Sequence, residues 1–392
     1  MENFMLTDPA VFAVERNYQI MVPVSQDGIM WVRVAGENYY DDSNGILRSS
    51  TRMHRVTVPM EQLDGAGKYT VVYQKVVDRK PYFPELNEPV EKEYFFCPVK
   101  FYPEKDRDNA ASGENDTCIH AYHIADVHNF PEPAIAAGSY WGDRLDFLIL
   151  NGDIPNHSGE IENFLDIYKI ASRITHGEKP VVFSRGNHDM RGFYAENFAE
   201  YTPTRAGLSF YTFRLGSIWG LVLDCGEDKD DTHPEYGGTV ACTAFRKKQT
   251  AYLKELILHA KAEYEAPDVR HRIIVCHVPF TFTPEEPFDT DIAIYEEWSR
   301  LLRENVHPEV MLCGHEHFCR VDLPGSSRDH KGQPCPVIVG AEPTANSDLT
   351  RGFIGTALTF SEKEITVRFT DQDRNVLKEE IPKIDGGRSE NG

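Results

Sequence analysis

Two rhythms of apolar and polar positions divide this chain. Up to about residue 100, short segments rich in Val, Ile, Tyr and Phe alternate with polar residues: YQIMVPV (18–24), GIMWVRVAG (28–36), MHRVTVPM (53–60), KYTVVYQKVV (68–77) and EYFFCPVK (93–100). Gly, Asp, Asn and Pro separate them. A period of two bounded by turn residues predicts strands, and this even spacing predicts an antiparallel sandwich over residues 1–110. From 117 to 375 the rhythm changes. Apolar strand-like runs now alternate with IENFLDIYKIASRI (161–174), AFRKKQTAYLKELILHAKA (244–262) and YEEWSRLLREN (295–305), whose apolar residues recur at helical spacing. Strand–helix alternation predicts an α/β layered domain. Between the two parts, YPEKDRDNAASGENDT (102–117) reads as a linker, and residues 384–392 read as a disordered tail.

One N-terminal segment is more specific. In MEQLDGAGKYTVVY (60–73), Leu63 precedes Tyr69 across a Gly-rich turn, a spacing that resembles the tyrosine corner of fibronectin type III domains. Its Gly67-Lys68 pair is not a P-loop, because Gln62 stands where the first glycine belongs and Tyr69 where a Ser or Thr would bind metal.

Composition narrows the function classes. The 62 acidic residues against 41 basic ones give a formal charge of −21. That charge repels nucleic acid and anionic membranes. The first 24 residues lack a basic start followed by an apolar core, and no run approaches the roughly 18 apolar residues of a membrane helix. The eight cysteines are scattered without a CxxC pair, which favours buried free thiols, with a disulfide left open. A cytoplasmic setting is expected.

The chemistry concentrates where the apolar runs of the second part end. IHAYHIAD ends at Asp126, with His128 two residues on; DFLILNGD ends at Asp153; VVFSRGNH ends at Asn187 and His188; RIIVCH ends at His277; EVMLCGHEH ends at His315 and His317. In open α/β sheets the crevice beyond the carboxyl ends of strands is where ligands bind. As metal ligands these residues divide into two sets. Asp126, His128, Asp153 and His317 would hold one ion, and Asp153, Asn187, His277 and His315 the other, with Asp153 bridging. Mixed nitrogen and oxygen donors suit Mn, Fe or Zn, and the absence of thiolates argues against a structural zinc site. Two such ions acidify a shared water and clamp an in-line displacement. With two carboxylates in the set, the cluster keeps a net positive charge that attracts phosphate.

In this order, Asp126-x-His128, Gly152-Asp153, Gly186-Asn187-His188-Asp189, His277 and Gly314-His315-Glu316-His317 resemble the motif set of calcineurin-like metallophosphoesterases over residues 117–370. The resemblance implies a two-sheet αββα sandwich and a metal-dependent phosphoric ester hydrolase. With its N-terminal β-sandwich, the chain also resembles purple acid phosphatases in plan. It departs from that subgroup at His128, where the subgroup has Gly, and at Asn156, where it has a metal-bound Tyr, so the iron–tyrosinate chemistry is not expected.

The expected reaction is attack of metal-bound hydroxide on a small phosphate monoester or diester. His188 would bind the phosphoryl oxygens or protonate the leaving oxygen, and Asp189 would orient its imidazole. Glu316 is read as a spacer. Asn156, His157 and the polar insertion CGEDKDDTHPEYGG (225–238) are read as solvated, with a lid role for His233 as the sharper alternative. His120, His123, His176, His271 and His307 are read as structural. A nuclease of the same family and a non-catalytic scaffold remain the rival functions; the −21 charge opposes the first and the complete ligand set the second.

Overall fold

The computed structural model describes residues 3–100, 118–345, 351–362 and 364–382, so the expected linker at 102–117 and tail at 384–392 lie outside the described residues. In the C-terminal part the central strands bury both faces, as near-continuous apolar runs require. Along Ile119–Ile124, Ile119 and Ala121 enter one buried cluster while Tyr122 and Ile124 enter another. Phe147–Asn151 repeats the split, with Phe147 and Ile149 against Leu148 and Leu150. A strand's period of two thus feeds two layers at once.

The shared inner cluster also takes Ile273, Val275, Val310 and Leu312 from a second sheet. That sheet's outer face (Ile274, Cys276, Met311) packs beneath helices Cys242–Leu258 and Ile292–Leu301. Helices Pro131–Gly138 and Leu165–Thr175 cover the first sheet. The layers therefore run helix, sheet, sheet, helix, the αββα plan that the motif resemblance implies. The three expected helices form with shifted ends. The first opens with a 3-10 turn at Ile161–Phe164, and the third closes in a π-helical turn at Leu302–Val306.

The N-terminal strands make two layers. Val90–Phe95, Lys68–Asp78, Gly28–Val34 and Glu37–Tyr40 form one sheet; Ala10–Val14, Asn17–Pro23 and Met53–Pro59 form the other side. Val22, Val56 and Val58 pack with Met30, Val32 and Val71 in one cluster. The second group of strands does not stop at its own edge. Ala10–Val14 pairs in parallel with Pro180–Ser184, Val11 opposite Pro180 and Phe12 opposite Val181. The ten-stranded sheet therefore runs on from the C-terminal part into the N-terminal part.

The segment before Tyr69 is a helix, Met60–Ala66, not a turn, and Gly67 closes it in the left-handed region (φ 62°) with its N–H donated to Leu63 O. The Tyr69 hydroxyl donates to Gly177 O at 2.7 Å. It therefore stitches the N-terminal layer to the loop after helix Leu165–Thr175, where a tyrosine corner would return to its own upstream backbone. All eight cysteines are free thiols, and no helix among the described residues is long and apolar enough to cross a membrane.

Candidate metal centre

Five strand ends from the two sheets converge on one space. His277 Nε2 lies 3.2 Å from Asp153 Oδ2 and 3.7 Å from Asp126 Oδ1. His317 Nε2 lies 3.4 Å from Asp126 Oδ1 and 3.1 Å from His128 Nε2. His315 Nδ1 lies 3.0 Å from Asn187 Oδ1. All seven residues expected as ligands therefore meet.

The backbone is bent to aim them. Asp126 (φ 55°), His128 (50°), Asp153 (52°), His315 (73°) and His317 (55°) all sit in the left-handed region. Non-glycine residues there are uncommon and cost about 1–3 kcal/mol each, a strain that gathers at functional sites. Two glycines make room. A Cβ on Gly186 would fall 2.1 Å from Asp153 Oδ1, and one on Gly314 would fall 2.5 Å from Asp126 Oδ2.

Hydrogen bonds orient each group. His277 Nδ1 donates to Asn151 O at 2.7 Å, which turns Nε2 to the carboxylates. Asn151 is itself held by Leu312 O and by His123, at 3.0 Å each. His123 is thus a buried structural histidine, as expected, but one that supports a site residue. The His315 backbone N–H reaches both Asp126 oxygens, at 3.0 and 2.9 Å, and the His188 N–H reaches Asp153 Oδ1 at 2.9 Å.

The electrostatics match a cation site. Burial opposes charge on His277, yet Asp153 and Asp126 pull it up to about 10. Burial likewise opposes ionisation of Asp153, yet His277, His188 and His128 hold it well below the usual carboxylate range. Burial pushes His128 down to about 4, and burial with His277 lowers His315. His128 and His315 are thus held neutral beside an ionised carboxylate, as metal binding needs, whereas Asp126 raises His317 and His277 has to give up a proton.

Three groups bring ligand atoms within 4.8 Å of one another: Asp126, His128 and His317; Asp153, His277 and His315; and His128, Asp153 and His188. The first two follow the expected division, with Asn187 beside the second. The third puts His188 within reach of the same space. The donor set, imidazoles with two buried carboxylates and no thiol, fits transition-metal ions. His277 Nε2 is aimed into that space between the Asp153 and Asp126 carboxylates.

The structure reassigns Asp189. It does not meet the His188 imidazole among the described hydrogen bonds. Its Oδ2 accepts from Gly186 N at 2.6 Å and Asp153 N at 3.2 Å, so it fixes the two loops that carry Asp153 and Asn187. Burial, then Asp153, pushes its carboxyl up to about 8. The His188 ring is oriented by a carbonyl instead, with Nδ1 2.8 Å from Asn156 O.

Two residues escaped the sequence reading. Arg191 places Nη1 3.2 Å from His188 Nε2, and its guanidinium pairs with both Glu227 oxygens at 2.9 Å. Glu227 is buried, although it belongs to the insertion read as solvated. The buried Arg246 anchors that insertion through Cys225 O, Glu227 O and Asp291. Asp231 caps helix Cys242–Leu258 by accepting from the Cys242 and Thr243 N–H groups. An Arg three residues after His188 was the available signal, but its partner lies 36 residues away. Glu316 pairs with Arg320 and Arg328. His233 bonds within its own turn to Glu235 N.

Comparisons with known proteins agree with this geometry. The chain is similar in structure to a purple acid phosphatase from yellow lupin (Lupinus luteus) seeds, with 12% identity, TM-score 0.57, and coverage of 95% of this chain and 73% of that one. It is similar to PhoD at 13% identity and TM-score 0.54, covering 99% and 94%. At these identities the likeness is one of fold. No curated protein matches the chain in sequence. The family model for calcineurin-like phosphoesterases matches residues 119–319, which span every strand-end block from Asp126 to His317. The chain belongs to the calcineurin-like phosphoesterase family, and is a metal-dependent phosphoric ester hydrolase.

Proposed function

We propose that this enzyme hydrolyses a small phosphate monoester or diester at a dinuclear centre. Asp126, His128, Asp153 and His317 would hold one ion, Asp153, Asn187, His277 and His315 the other, and Asp153 would be shared. The observation that carries this reading is the convergence of five left-handed residues and two buried carboxylates on one space. Mn, Fe or Zn in such a site supplies an acidified water and neutralises charge on the phosphoryl oxygens.

The chain's own residues do the rest. The His188 Nδ1–H is committed to the Asn156 carbonyl, which leaves Nε2 on the substrate side beside Arg191. Once Nε2 is protonated and turned from Arg191, His188 binds a phosphoryl oxygen or delivers that proton to the leaving oxygen. Arg191, pinned by Glu227, adds a positive charge to the same side. Asp189 acts as a positioning residue through the Gly186 and Asp153 backbone. The −21 charge favours small substrates over nucleic acid, and the eight free thiols favour a reducing, cytoplasmic setting.

The reading is tested by metal analysis combined with hydrolysis of a generic aryl monoester and diester. Two ions per chain with turnover of at least one ester is expected; two bound ions with turnover of neither contradicts it.

A further inference from the structure

A cavity of about 320 Å³ opens beside the candidate metal centre, with His315 and Glu316 in its wall. Much of the remaining wall is apolar, with Val278, Phe280, Phe282, Phe288 and Tyr295, and Asp289 and Thr290 stand at its polar side. The volume suits a small organic group, at the lower end of the range for ligand pockets. Its floor is rigid. Phe280 stacks on Tyr295 at 5.6 Å and meets Trp298 edge-on at 5.5 Å.

The charges around it are largely matched within the protein. Asp228 and Glu227 stand on the wall, but Lys229 and Arg191 pair with them. The Lys331 ammonium, also in the wall, is held by Phe282 O at 2.7 Å and Thr283 Oγ1 at 2.6 Å. Arg328, which covers the Phe282 ring at 3.9 Å, is held by Glu316. Most of the charged groups nearby therefore have partners in the wall itself. What the space offers is flat apolar surface within reach of a metal ligand.

We infer that this cavity receives the alcohol portion of the substrate, and that the alcohol is an uncharged aromatic or similarly flat apolar group. The inference rests on the phosphoesterase reading of the adjoining site. It identifies Phe288 and Thr283 as specificity residues, Phe288 as part of the outer wall and Thr283 as a small side chain whose enlargement would fill the space. Burying a phenyl ring there gives about ten- to hundredfold preference over a two-carbon alcohol.

The test uses the metal-loaded enzyme with phenethyl phosphate and ethyl phosphate, whose leaving alcohols have similar acidity. It pairs them with calorimetric binding of the unreactive phenethylphosphonate and ethylphosphonate. Wild type should prefer the phenethyl compound at least about tenfold in kcat/KM and in affinity. Thr283→Trp and Phe288→Ala should each shrink that ratio, mainly through KM. Phe288 is 40% exposed, so its variant should fold even if the tryptophan does not fit. Turnover of both esters without preference, or a preference that both folded variants retain, overturns the pocket assignment alone. Turnover of neither ester with metal bound overturns the hydrolase reading, and the pocket assignment with it.

Discussion

Two histidine–carboxylate pairs buried on both sides, His54 with Asp41 and His277 with Asp153, behave differently. In the N-terminal part, His54 Nδ1 lies 2.6 Å from Asp41 Oδ2 with Arg48 3.8 Å away, a closed arrangement on ordinary strand and loop backbone. In the C-terminal part, His277 faces Asp153 and Asp126 together, while His128, His315 and His317 crowd the same space. The first pair stands alone among the described residues, with no further imidazole or carboxylate crowding it, although His54 Nε2 is buried without a partner. The other belongs to an assembly in which imidazoles converge on left-handed backbone, an arrangement whose strain and repulsion a cation relieves. Burial alone does not mark a site; convergence on strained backbone does.

The comparison can be broken at several points. The largest effect concerns the regions' independence. Deleting residues 1–100 strips Ala10–Val14 from Pro180–Ser184 and Tyr69 from Gly177. The product should be insoluble or unfolded by circular dichroism, and a stable, active fragment would show that the shared sheet is dispensable. Next, Asp153→Asn should cost at least about a thousandfold in kcat and most of the bound metal, by elemental analysis, since it removes the shared charge. His188→Ala should cost about a hundred- to ten-thousandfold in kcat with the metal content kept; a parallel loss of metal would make His188 a ligand, as its proximity to His128 and Asp153 allows.

A smaller effect follows from the His277 proton. Its pKa of about 10 lies above the ordinary value of about 6.5, so metal must displace a proton at neutral pH. Apparent metal affinity should rise with pH up to about 10, by as much as about tenfold per unit, in calorimetric titrations. The sign for the metal-free protein is the reverse. A raised histidine pKa adds stability that is complete below about 6.5 and is lost as pH rises through about 10. The smallest effect on activity belongs to the structural pair. Asp41→Asn should lower stability by about 1–3 kcal/mol in urea unfolding yet leave kcat within about twofold.

Much of the catalytic face was legible because motif and period coincide there. Asp126, Asp153, Asn187, His277, His315 and His317 each close an apolar run, and strand ends in a two-faced sheet have to meet at one edge. The layering was legible for the same reason, since runs such as FLIL leave no face for solvent. What stayed hidden depends on contacts distant in sequence. Asp189 was misread because adjacency to His188 suggested a side-chain contact, whereas its carboxylate turns back to Gly186 and Asp153. Glu227 looked like part of a solvated charge run until Arg191 and Arg246 folded against it. The pairing of Ala10–Val14 with Pro180–Ser184 joins segments about 170 residues apart, which no local period encodes. Left-handed φ at an aspartate or histidine leaves no compositional trace either.

The most direct test of the central claim is anomalous scattering from crystals of the metal-loaded protein, recorded at the absorption edges of Mn, Fe and Zn. Two peaks are expected, one beside Asp126, His128 and His317 and one beside Asn187, His277 and His315, with Asp153 touching both and His188 touching neither. A single peak, or direct coordination by His188, would contradict the account.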